Sequence, residues 1–222
     1  MPPIVSPPPS RFAGRERFPD RLRLPFGFDP ELLARDLHNL SAEWIRHFVR
    51  ANYEGDWSVI PLRAPAGETH PIRMIYPNPT ATSFVDTELL IASPYFREVL
   101  AAFACPLRTV RLMRLTPGST IKEHADYELS FEEGMVRIHI PVVTNDGVEF
   151  YLNGTRTVME AGSAWYLRLS DPHRVTNKGD ADRVHLVVDG VVNDWVTNLF
   201  ESAAARPGDE TAAAAAPVTA GD

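Results

Sequence analysis

His124 and Asp126 stand two positions apart around Ala125, and His173 follows 47 residues after the aspartate. On an extended segment residues i and i+2 project to the same side, so this imidazole and carboxylate can address one point in space. A second imidazole brought to that point completes a two-histidine, one-carboxylate face. Such a face suits non-haem Fe(II) and leaves coordination positions for a co-substrate and dioxygen. The competing reading is a charged surface loop, because Lys122, Glu123, Glu128, Glu132 and Glu133 crowd the same stretch and a His-x-Asp pair arises readily by chance.

Two further segments place polar side chains on one face of an apolar alternation. Arg137, His139 and Pro141 alternate with Val136, Ile138, Ile140 and Val142, and Arg183, His185, Val187 and Asp189 alternate with Val184, Leu186 and Val188. A guanidinium can grip a carboxylate through two parallel hydrogen bonds, and a cavity for a dicarboxylate needs such donors. His139 is equally a candidate fourth metal ligand or an inert surface histidine. For Arg183 the bland alternative is an exposed pair with Asp180 or Asp182, which would contribute little. Its position ten residues after His173, on the expected partner strand of a hairpin, favours the cavity.

The elements that must hold these groups are readable from period and punctuation. Asp29-Pro30-Glu31 and Ser93-Pro94 open two helices, each followed by leucine or aromatic residues at helical spacing. From Val110 onward the period becomes two. Strands are expected at Val136 to Val143, Val148 to Leu152, Thr155 to Met159, Ala164 to Leu169, His173 to Thr176 and Val184 to Val188, with hairpin turns at Asn145-Asp146-Gly147 and Asn153-Gly154. Many short strands at close spacing argue for a sandwich or barrel. The expectation is a mainly β fold, a double-stranded β-helix or jelly roll with flanking N-terminal helices, whose strand ends bring His124 and His173 to one open cavity.

Composition sets the outer limits. The chain of 222 residues suits one domain, expected over residues 21–200, between loose segments at 1–20 and 201–222 that are rich in proline or in alanine and small residues. A net charge of −7 gives no reason to expect nucleic acid as a partner. The single cysteine, Cys105, excludes an intrachain disulfide and a thiolate cluster. Neither a secretory leader nor an 18-residue apolar run for a membrane span is legible, so a cytoplasmic protein is expected.

Taken together, His124-Ala125-Asp126, Arg137-Ile138-His139-Ile140-Pro141, Glu149-Phe150, Gly162, His173-Arg174-Val175-Thr176-Asn177 and the stretch Arg183 to Asp189 resemble the aspartyl/asparaginyl β-hydroxylase family of Fe(II)- and 2-oxoglutarate-dependent dioxygenases. The likeness spans roughly Arg108 to Asp194, with a fainter echo from Trp57 to Arg63. It implies that His124, Asp126 and His173 hold iron, that Arg183 clamps the distal carboxylate of 2-oxoglutarate, and that Arg137 and His139 line the cosubstrate side. Animal members carry glycine where Asp126 stands here, so this chain is similar to bacterial members with a complete triad.

The resemblance implies hydroxylation of an aliphatic carbon in an amino acid, in an aspartyl or asparaginyl residue, or in a related small molecule, with succinate and carbon dioxide released. The segment from Trp57 to Arg63, together with Arg73, is expected to meet the substrate, with Arg63 and Arg73 each able to pair with a carboxylate or with the protein's own acids. The alternative is a metal-binding β-barrel of the cupin-like kind that is non-catalytic or independent of 2-oxoglutarate. The direction in which Arg183 points separates the two.

Overall fold

The computed structural model describes residues 14, 16–76 and 78–206. β1 (Arg21–Gly27) leads into α1 (Pro30–Asn39), where the Asp29 carboxylate accepts hydrogen bonds from the amides of Glu31 and Leu32. Short strands β2 (Ile45–Arg46) and β3 (Tyr53–Glu54) precede β4 (Trp57–Pro65), α2 (Pro71–Ile75) and β5 (Phe84–Asp86). Then come α3 (Glu88–Ile91) and α4 (Pro94–Ala101). The expected start at Ser93-Pro94 is present, but Ser93 does not cap it. Asp36 of α1 reaches across instead and accepts from the amides of Tyr95 and Phe96, tying the two helices together.

The remainder is strand: β6 (Leu107–Leu115), β7 (Thr120–His124), β8 (Met135–Val143), β9 (Val148–Leu152), β10 (Thr155–Thr157), β11 (Ser163–Leu167), β12 (His173–Asn177) and β13 (Arg183–Val191), closed by α5 (Asp194–Ala204). Among the described residues they form two antiparallel sheets. The larger runs β1-β11-β8-β13-β6-β4-β2 with β5 on the edge of β4, and the smaller runs β10-β9-β12-β7-β3. No ladder joins one sheet to the other among the described residues, so the fold is mainly β and of the double-stranded β-helix type without a closed ring of hydrogen bonds.

Two hydrophobic clusters explain the layering. One face of the larger sheet sends Val110, Leu112, Ile138, Ile140, Leu186 and Val188 under the helices, against Leu33, Phe96, Val99 and Phe200. The other face meets the smaller sheet, with Val59, Met113, Trp165 and Val187 packed on Ile121, Phe150 and Val175. The period-two pattern thus serves two cores at once, and the polar positions of β8 and β13 fall between the sheets. The outward face of the smaller sheet carries exposed charge pairs: Lys122 with Glu54 at 3.0 Å, Arg174 with Glu123 at 3.4 Å and Lys178 with Glu149 at 2.9 Å.

Three expectations need correction. Asn153-Gly154 does turn the β9-β10 hairpin, with φ of 50° and 73°. Asn145-Asp146-Gly147, however, carries the chain from the larger sheet to the smaller, because β8 pairs with β11 and β13 while β9 pairs with β10 and β12. Nor does β13 form a hairpin with β12; it lies between β6 and β8 in the opposite sheet. The outer limits also move: Phe18 is buried edge-on to Phe131 and Phe200, and α5 continues to Ala204 with Ala203 buried. Expectations for residues 1–13, 15 and 207–222 lie outside the described residues.

Candidate metal centre

His124 ends β7 and His173 begins β12, and the two residues are paired directly across the antiparallel ladder. Their inward aim depends on an irregularity. Val175 pairs with Ile121 and His173 with His124, so two steps along β12 match three along β7. The extra residue is a bulge, and it lets Ile121 and His124, an odd number apart, both face the opposite sheet. Asp126 lies past the end of β7, where its amide donates to the carbonyl of Leu169 at 2.8 Å, fastening this loop to the segment that leads into His173.

These three residues bring one ligand atom each to within 4.8 Å of one another. Both imidazoles are fixed by their rear nitrogens: Nδ1 of His124 lies 2.7 Å from the carbonyl of Lys122, and Nδ1 of His173 lies 2.9 Å from that of Asp171. A carbonyl only accepts, so each Nδ1 carries the proton and each Nε2 keeps its lone pair for a metal. Burial first, tempered by nearby Asp126, pushes the His173 imidazole down to about 4 and keeps it in the neutral, ligating form. Burial alone would raise Asp126, but Arg137 foremost holds its carboxyl below the ordinary range. Two imidazoles and a carboxylate are the donor set that an Fe(II) site requires.

Behind the triad stands a second group of charges. Arg137 donates Nη1 to Asp126 Oδ2 at 2.7 Å, and its Nε and Nη2 to the two oxygens of Asp189 at 2.6 and 3.0 Å. Asp189 also accepts from the Thr109 hydroxyl at 2.6 Å and from Arg111 at 2.5 Å. Two carboxylates thus face two guanidiniums. Arg137 borders the cavity, with three of its N–H groups turned to the protein's own acids.

Arg183 is the opposite case. It is 2% exposed and pairs with no carboxylate among the described residues. Its Nη2 donates to Nδ1 of His185 at 2.9 Å, while its Nε has no partner. Burial lowers its guanidinium to about 9, the mark of a cation lacking a counter-charge. Nε2 of His139 is likewise without a partner, and His139 is held neutral by burial and then by Arg183. A cavity of about 440 Å³ joins the triad to both residues. An unmatched buried cation at the wall of such a cavity fits an anionic ligand.

Arg63 and Arg73 do not belong to this cavity. Arg63 bonds to Asp86 and to the carbonyls of Phe84 and Leu107, at the edge of the larger sheet. Arg73 is exposed on α2, with Glu68 at 3.9 Å as its acid. Trp57 does line the cavity, stacked on His47 at 3.5 Å between ring centroids and 6.3 Å from His124. His47 and Arg111 were missed as wall residues. Neither carries a sequence signal, because His47 sits in no alternating run and Arg111 reads as one charge among several.

The family described as aspartyl/asparaginyl beta-hydroxylase matches residues 31–192. The chain belongs to this family. It is 28% identical over 167 residues to an L-proline cis-4-hydroxylase of Rhizobium meliloti (strain 1021), covering 73% of this chain and 57% of the relative. The chain therefore spans little more than half the length of that curated relative. A solved oxidoreductase of the 2OG-Fe(II) oxygenase family from Burkholderia pseudomallei shares the fold, with a TM-score of 0.51, 18% identity and coverage of 79% of this chain and 88% of that one. No helix among the described residues is long and apolar enough to cross a membrane.

Proposed function

We propose that this protein is an Fe(II)- and 2-oxoglutarate-dependent dioxygenase that hydroxylates an aliphatic carbon of an amino acid, with succinate and carbon dioxide as co-products. The carrying observation is the convergence of His124, Asp126 and His173 beside a cavity that also contains an uncompensated buried arginine. In this reading the two facing sheets are those of a double-stranded β-helix and form one catalytic domain. His124 and His173 hold the metal through Nε2 and Asp126 through its carboxylate. Iron with 2-oxoglutarate and dioxygen supplies the oxidation, and no acid or base of the protein is needed to break the C–H bond. Arg183 grips the far carboxylate of the cosubstrate, with His139 beside it, and this fixes the reach of the cosubstrate towards the triad. The Trp57–His47 wall offers an apolar face against which the substrate carbon is held near His124.

The named activity of the Rhizobium relative favours a free amino acid over a residue within a folded protein, and L-proline is the first substrate to test. The experiment is an aerobic incubation with Fe(II), 2-oxoglutarate and a pool of free amino acids, read by mass spectrometry. Expected is a gain of one oxygen atom in one pool member, matched by succinate. Absence of succinate with free amino acids and with aspartyl and asparaginyl peptides alike would leave the cupin-like binding protein as the better reading.

A further inference from the structure

Asp126 presents its two oxygens to different partners. Oδ1 lies 3.8 Å from Nε2 of His124, on the side where the ligand atoms converge, while Oδ2 accepts from Arg137 at 2.7 Å. The Arg137 guanidinium cannot easily turn away, because Asp189 holds it through a two-pronged bond from the neighbouring strand. Asp189 is itself 2% exposed and locked by Thr109 and Arg111. From this chain of contacts, which rests on the metal-centre reading above, we propose that Arg137 reserves Oδ2 so that Asp126 meets the metal through Oδ1 alone. Asp189 is the residue that positions Arg137 for this task.

The consequence is a coordination count. A free carboxylate can chelate a divalent cation through both oxygens and so consume one position more. With Oδ2 held by Arg137, the protein supplies three donor atoms, and the positions needed by a bidentate 2-oxoacid and by dioxygen stay available. Arg137 and Asp189 are positioning residues that act through Asp126, and the cosubstrate need not touch them.

The test uses Co(II) as a spectroscopic substitute, added anaerobically to the full chain before any 2-oxoglutarate. Binding of one Co(II) by the wild type, lost in His173→Ala, establishes the centre; its failure would sink the metal reading itself rather than this inference. In Arg137→Gln the visible cobalt bands are expected to change shape and intensity while metal is still bound, because the released oxygen joins the metal. Subsequent 2-oxoglutarate binding should weaken, because the second oxygen then occupies a position the cosubstrate needs. Arg137→Gln leaves two carboxylates facing one guanidinium, so Arg137→Gln/Asp189→Asn is measured beside it; it restores a one-to-one balance and should show the same cobalt spectrum as the single variant. Wild-type cobalt bands in both variants, with only 2-oxoglutarate binding impaired, would mean that Arg137 contacts the cosubstrate directly and would overturn the proposal. A structure of the cobalt-loaded wild type with both Asp126 oxygens on the metal would do the same.

Discussion

Arg183 and His47 show what a single buried residue can reveal. An arginine that is 2% exposed and has no acid beside it is costly to the empty protein, and a bound dicarboxylate would offset that cost. Arg183→Ala is therefore expected to weaken 2-oxoglutarate binding by about 1.5–3 kcal/mol, the range for a hydrogen bond to a charged group. Cobalt retention should be little changed, and anaerobic titration separates the two effects. His47 is pushed down to about 3, first by burial and then by Arg111. Its unfolded value is higher, near 6.5, so the unfolded chain binds the extra proton between those limits and stability falls as pH drops from about 6.5 towards 3. His47→Phe keeps the stack on Trp57 and should flatten this acid limb by about 1.4 kcal/mol per pH unit, measured by denaturant unfolding of the metal-free protein. An unaltered slope would locate the acid sensitivity elsewhere, for example at buried His139 and His185. The triad was legible in the sequence because its spacing and the residues around it recur in a known family. For Arg63 and Arg73 the choice between a substrate carboxylate and the protein's own acids stayed open for a plain reason: an arginine in a sequence does not disclose which acid it already has, and here each has one within reach.

At the scale of elements, alternation located most strands of the second half to within a residue or two, and β9 was bounded correctly at Val148 and Leu152. Pairing was less legible, since the strand next in sequence usually lies in the other sheet and a turn signal does not say whether the chain folds back or crosses over. The bulge between Ile121 and His124 was invisible, because two consecutive polar residues, Lys122 and Glu123, read the same whether they face out together or alternate. It leads to a counterintuitive expectation. Deleting Glu123 removes the extra residue, makes Ile121 and His124 neighbours at i and i+2 on one regular face, and should leave cobalt binding within about tenfold of wild type. Loss of the metal in this variant, with the far-ultraviolet circular dichroism unchanged, would show that the local twist of the bulge aims the imidazole as well as its parity.

At the scale of the molecule, the candidate metal ligands all belong to the smaller sheet or the loop that leaves it, whereas Arg137, His139, Arg183 and Asp189 belong to the larger one. Metal and 2-oxoglutarate together would clasp the two layers, while metal alone engages only one. Saturating both at about 100 times their dissociation constants should add about 2.7 kcal/mol for each independent binding step, seen as a rise of several degrees in Tm. The increment from 2-oxoglutarate should disappear in Arg183→Ala while that from the metal persists. The mainly β class followed from pattern, but the limits of the core did not. Phe18 lies in a proline-rich, charged stretch and Ala203 at the head of an alanine tail, and only the aromatic and helical neighbours they meet reveal them as core. The outward face of the smaller sheet has a practical bearing. Lys122 and Lys178 are the only lysines in the sequence, and both sit on that face in exposed ion pairs. Apart from the α-amino group, amine-directed dyes, resins or cross-linkers will therefore find their targets on the back of one sheet, away from the inner walls.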